Sequence, residues 1–174
     1  SDVGSSDLAQ PASVGSKSTT LTVMASPGGM DSATVTGTGQ SAAALSAPTT
    51  QDFGTVTTGT ASVTRSFTVQ NIGGVATSTL SRSISGGNGE FLIDAGGCAS
   101  ALAPGAMCTI SVTYTAAMLG SRGATLSVSA TTGGSDSSTL TATAVAPGAL
   151  TITGNTTFPT TAVGATSTTR VFTI

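Results

Sequence analysis

The sequence contains no histidine and no tryptophan, and only 7% of its 174 residues are charged. Without imidazole it lacks the usual general base, the commonest metal ligand and the side chain that titrates near neutral pH. Ser, Thr and Cys nucleophiles are present, but no base stands ready to activate them. An enzyme is not expected, and no cofactor or metal is implied. Five basic residues against seven acidic ones, scattered along the chain, make no electrostatic footprint for nucleic acid. No apolar run reaches the roughly 18–20 residues that cross a bilayer as a helix, so no membrane insertion is expected in this segment. No signal peptide is visible and the first residue is Ser1, the pattern of a processed chain or of a piece of a longer one.

What the sequence does have is Ser and Thr, together about a third of the chain, a bias towards strands and turns. It also has a repeat. Residues Val14–Gly39, VGSKSTTLTVMASPGGMDSATVTGTG, return as Leu119–Ala144, LGSRGATLSVSATTGGSDSSTLTATA. Residues Ala44–Val69 return in the same way as Ala149–Ile174, and both matches run without a gap at an offset of 105. Internal periodicity of this kind sets the domain plan before any single residue does. One complete repeat falls at 45–146. Residues 1–44 read as the C-terminal part of a preceding repeat and 147–174 as the N-terminal part of a following one. Ser1–Ser13 does not resemble its counterpart by offset, Ala106–Met118.

Inside the full repeat, apolar and polar residues alternate with a period of two. Cys108, Ile110, Val112 and Tyr114 interleave with Met107, Thr109, Ser111 and Thr113, and Leu126-Val128-Ala130 and Leu140-Ala142-Ala144 follow the same rule. Gly133-Gly134 between two such runs is a hairpin signal. About seven short strands in roughly 100 residues predict an all-β fold, an immunoglobulin-like antiparallel β-sandwich in tandem copies. Phe67, Val69, Ile110, Val112, Leu126, Val128 and Leu140 are its expected core. With aromatics at 3% that core is thin, and small cores usually need a covalent staple.

Cys98 and Cys108 bracket the loop CASALAPGAMC, which turns back at Pro104-Gly105. A disulfide is expected there; two free buried thiols are the alternative. Two thiolates with no His and no nearby acid are too few ligands for a metal. A bond closing so short a loop is worth roughly 3 kcal/mol on the chain-entropy account, and it implies an oxidising compartment.

The order Asp52-Phe53-Gly54-Thr55-Val56, then Phe67-Thr68-Val69-Gln70-Asn71-Ile72-Gly73, resembles the opening of choice-of-anchor D domains, members of the wider ASPM/SPD-2/Hydin-like group. Gly89-Glu90-Phe91-Leu92-Ile93, Cys98, Leu102-Ala103-Pro104-Gly105 and Cys108-Thr109-Ile110-Ser111-Val112 continue that pattern. Ala116 departs from it, since the family usually has a proline there. The resemblance implies exported, often surface-anchored bacterial β-sandwiches in tandem, and it carries over no catalytic residue and no ligand.

Other features have plainer readings. Gly86-Gly87-Asn88-Gly89-Glu90 starts like a calcium-binding nonapeptide but puts Phe91 where a ligating Asp belongs. Glu90 and Asp94 flank an apolar triplet as solvated strand ends do. Asp31 and Asp136, both beside paired glycines, suit turn hydrogen bonds. Lys17, Arg65, Arg122 and Arg170 read as solvated charges that discourage stray edge pairing. Asn155-Thr156-Thr157 fits the N-glycosylation acceptor pattern.

The expected function is an extracellular structural module: a stalk, spacer or filament subunit at the cell surface. The alternative is an adhesion module that recognises carbohydrate or protein through its loops, with Phe53, Phe91 and Tyr114 as its few aromatic candidates. The expected partners are neighbouring repeats or other copies of the chain. The incomplete ends 1–44 and 149–174 leave open strand edges that could pair by strand addition and build a homo-polymer.

Overall fold

The structure is a computed structural model that describes residues 11–60, 62–155 and 157–173. Ten strands follow in order: β1 (Gly15–Ala25), β2 (Gly29–Gly39), β3 (Leu45–Ser46), β4 (Thr50–Thr57), β5 (Val63–Asn71), β6 (Ser81–Gly86), β7 (Phe91–Ile93), β8 (Met107–Tyr114), β9 (Gly120–Ala130) and β10 (Gly134–Val145). Among the described residues there is no α-helix, only one 3₁₀ turn at Gly87–Gly89. β1 and β2 form a two-stranded sheet; β4-β10-β9-β6 and β3-β5-β8-β7 form two four-stranded ones.

The two-residue period explains the core. In β8, Met107 is exposed while Ile110, Val112 and Tyr114 are buried. The same face-by-face sorting buries Phe67 and Val69 on β5, Leu126 and Val128 on β9, and Leu140 on β10. These side chains, from both four-stranded sheets, join Phe53 and Phe91 in one apolar cluster. Each large member contributes roughly 1.5–3 kcal/mol by leaving water.

One strand pair departs from the antiparallel expectation: β4 lies parallel to β10, with a bulge between Thr141 and Thr143. The cause is the route of the chain before it. Leu45 N–H donates to the Gly133 carbonyl and Ala47 N–H to Asp136, and Thr139 N–H donates to the Thr49 carbonyl. From 45 to 57 the chain therefore tracks 133 to 145 in one direction, moving from the sheet of β5 to that of β10 without a turn. The strand keeps its direction as it changes sheet, and β10 runs the same way.

The two hairpins of the 105-residue repeat have the same register. β1 and β2 pair from Gly15↔Gly39 to Ala25↔Gly29, and β9 and β10 from Gly120↔Ala144 to Ala130↔Gly134. Adding 105 to each number of the first set gives the second. Gly29 and Gly134 close the equivalent turns at φ 84° and 68°, a backbone region open chiefly to glycine.

The C-terminal segment holds no named strand among its described residues. The described residues of 149–173 hold one isolated antiparallel bridge, Thr153↔Thr173, which lies on the β3–β5 register at the 105 offset. Among the described residues no ladder extends it; β4, the strand at the equivalent place, takes its hydrogen bonds from β10. The acceptor pattern Asn155-Thr156-Thr157 includes Thr156, and Ser1–Ser13 includes residues 1–10; these lie outside the described residues.

Candidate functional site

The Cys98 and Cys108 sulfurs are bonded, with their Cα atoms 5.1 Å apart. Cys108 is the second residue of β8, and Cys98 ends a glycine turn. Gly97 is required there: a Cβ on it would sit 2.0 Å from the Thr109 carbonyl oxygen. Arg82 of β6 donates to the carbonyls of Gly96 and Gly97, so the loop is held from both sheets. Nothing in this loop forms a nucleophile–base pair, because its thiols are consumed in the bond.

Glu90 is not the solvated strand end the sequence suggested. It is 5% exposed. Its Oε1 accepts the N–H groups of Ala117 (2.7 Å) and Met118 (3.0 Å), and its Oε2 accepts Arg122 Nε at 2.6 Å. Burial pushes the Glu90 carboxyl up, but those two N–H groups and the Arg122 guanidinium together outweigh it and hold the carboxyl below the usual range. Arg122 is likewise not a solvated edge charge, since its side chain is only 15% exposed and is paired with Glu90. Its guanidinium also donates to the carbonyls of Ser121 and Leu119, both at 3.0 Å. This pair clamps the β8–β9 connection to the start of β7. Lys17 and Arg65 are exposed, as solvated charges are, while Arg170 is half-buried. Asp94 does not share a site with Glu90; it accepts the Thr113 hydroxyl at 2.9 Å.

The three aromatic candidates for a binding surface are inside. Phe53, Phe91 and Tyr114 are all buried, with ring centroids 5.3 Å apart for Phe53–Phe91 and 4.7 Å for Phe91–Tyr114. Burial, with a further push from the Glu90 charge, raises the Tyr114 phenol above its ordinary value. Its hydroxyl has no hydrogen-bond partner among the described residues.

Two polar residues do more than the sequence suggested. Asp136 does not serve its own turn alone: Oδ1 accepts Ser137 N–H at 2.8 Å, and Oδ2 accepts Ala47 N–H at 2.7 Å from 89 residues away. Asn71 is fully buried. Its amide donates to the Val75 and Leu102 carbonyls and its oxygen accepts Ala44 and Gly73 N–H, tying three loops together. Only its place in the quoted family pattern signalled it.

The remaining surface feature is the β1–β2 hairpin. Leu21, Val23 and Val35, the counterparts of buried Leu126, Val128 and Leu140, are all exposed. An open cleft of about 570 Å³ lies against it, lined in part by Pro11, Lys17, Thr19, Val35 and Gly37.

The family model of the HYDIN/CFA65/VesB-like, Ig-like domain matches residues 43–145. No curated protein matches. Among solved structures, the chain is similar to the secreted serine protease VesC from Vibrio cholerae, at 22% identity and a TM-score of 0.46 over 58% of this chain and 23% of that one. It is similar to the Vibrio cholerae VesB protease at 23% identity and a TM-score of 0.42, over 57% of this chain and 31% of that one. It is also similar to the ASH/PapD-like domain 7 of human CEP192, at 11% identity and a TM-score of 0.48 over 62% of this chain and 89% of that one. The chain thus spans less than a third of either protease.

Proposed function

The chain belongs to the HYDIN/CFA65/VesB-like family of Ig-like domains, and from that premise we propose that it is a non-catalytic structural module of a larger extracellular protein. In this reading residues 45–146 are one complete β-sandwich of choice-of-anchor D type, 1–44 close a preceding unit and 147–174 open a following one. Tandem units of this kind serve as a stalk or spacer at a cell surface. The observation that carries the reading is the shared register of β1–β2 and β9–β10 at an offset of 105: the same hairpin is built twice, and among the described residues only the second is joined by further strands. The Cys98–Cys108 bond supports an oxidising location. The adhesion alternative is weakened, because Phe53, Phe91 and Tyr114 face the core rather than a ligand.

Two measurements on the native protein test this reading. Protease shaving of intact source cells is expected to release fragments of this chain, and a glycan array is expected to give no saturable binding. Recovery from the cytoplasm with both thiols free, or a saturable glycan ligand, would overturn it.

A further inference from the structure

We propose that the free edge of β2 is the seat for residues 150–158 of a second copy of this chain, laid beside it in parallel. The proposal rests on the structural-module reading, with the unit that residues 1–44 close being the one that 147–174 of another copy open. The template lies within the chain itself. The β9–β10 hairpin is sealed along β10 by residues 45–57, through Leu45 N–H to Gly133, Ala47 N–H to Asp136, Thr139 N–H to Thr49 and then the parallel ladder. The β1–β2 hairpin repeats that register, and among the described residues β2 pairs with nothing but β1.

The sequence that should fill the gap is present as well. At the 105 offset, residues 150–158 are the counterpart of 45–53, and Leu150 and Phe158 match Leu45 and Phe53. Leu45 and Phe53 are buried at 8% and 2% exposure, whereas Leu150 and Phe158 are exposed at 89% and 55%. Donor and acceptor thus each expose the residues that their counterparts bury together.

A polar contact matches too. Asp31 Oδ1 accepts Ser32 N–H at 2.8 Å, just as Asp136 Oδ1 accepts Ser137 N–H at 2.8 Å. Asp136 spends its second oxygen on Ala47 N–H; the second oxygen of Asp31 has no partner among the described residues. The counterpart of Ala47 is Ile152, whose N–H is the donor the seat requires. The occupant is a second copy: within one chain residues 45–57 are committed to β10, and the described residues of 150–158 are not paired with β2. The seat ends at Phe158: Pro159 stands where Gly54 has φ 77° beside the bulge, and proline holds φ near −65°. At the offset, residues 2–9 are the counterpart of β8 and do not resemble it, and assembly between two copies depends on concentration.

The test uses two single variants of the full chain, Thr36→Cys and Thr157→Cys. Their counterparts Thr141 and Asp52 are paired across β10 and β4, with Thr141 Oγ1 3.2 Å from Asp52 Oδ1. Mixed under mild oxidation, the two variants are expected to give a mixed disulfide dimer, identified by mass, at least ten-fold above the mixture of Thr36→Cys with Phe158→Cys. Phe158 lies one residue on, so its side chain points to the other face. Adding Asp31→Ala to the Thr36→Cys chain is expected to cut the yield several-fold. A yield no higher than the Phe158→Cys control overturns the proposal, as does a Thr36→Cys, Thr157→Cys double variant that links only within one chain at every concentration. None of these substitutions lies in 45–146, so thermal unfolding of that unit reads the module separately. Its loss would count against the module, and its survival without cross-linking against the seat alone.

Discussion

Leu126 and Leu21 are the same residue at equivalent places in two hairpins, yet one is 1% exposed and the other 57%. Truncating each to alanine separates burial from local sequence. Leu126 sits among Val128, Leu140 and Phe67 in the shared cluster, and Leu→Ala at such a site costs about 2–5 kcal/mol, transfer and cavity together. Unfolding entropy scales at about 2.1 cal/mol/K per residue, so a unit of roughly 100 residues loses about 5 °C per kcal/mol. Leu126→Ala should therefore lower the midpoint of the main calorimetric transition by about 10–25 °C. Leu21→Ala removes a side chain that is mostly in water already and should stay within about 0.5 kcal/mol, a shift of no more than about 3 °C. Both variants are scanned at low concentration, where any association between copies is minimal. Equal shifts for the two would refute the reasoning, because they would mean that β1–β2 is packed into the same cooperative unit.

Other perturbations have defined outcomes. Replacing both Cys98 and Cys108 by Ser should cost roughly 3 kcal/mol, read as a lower urea midpoint; an unchanged midpoint contradicts the staple role. Glu90→Gln leaves Arg122 facing a neutral amide and should cost roughly 3 kcal/mol, the low end for a broken buried pair, because Arg122 keeps partial access to water. The Glu90 carboxyl is held below its ordinary 4.5, so its contribution is full above that value and fades as pH falls through the folded-state value; urea midpoints from pH 7 down to 2 should drop less in Glu90→Gln than in the parent. Tyr114→Phe deletes a buried hydroxyl that has no partner and should leave stability unchanged or raise it by about 1 kcal/mol; a clear loss would mean that the hydroxyl is bonded.

Much of the fold could be read from the residues because burial in a strand repeats every second position. That rule lays out β8, β9 and β10 directly, as exposed Met107 beside buried Ile110 and Val112 illustrates. It is silent on which strands are neighbours. The parallel β4–β10 pair follows from a chain crossing at Ala47–Thr49, a three-dimensional event without a local pattern. Charge is harder still. Glu90 and Arg122 stand 32 residues apart, and each looks solvated in its own sequence neighbourhood. Asp136 reads as a turn residue because its Ser137 contact is local, while its tie to Ala47 spans 89 residues. Phe53, Phe91 and Tyr114 were open to a binding role only because a lone aromatic in a strand shows nothing of the sheet that will cover it. The uncovered hairpin is the opposite case, legible from the 105-residue offset alone, since a repeat fixes what each half should touch.

Electron microscopy of the intact protein isolated from its source tests the spacer role most directly. The account predicts an elongated particle with beads of equal size in a row, one for each 105-residue unit, and the disulfide-bearing unit among them. A compact particle in which residues 45–146 pack against a single larger domain, with no row of units, would contradict it.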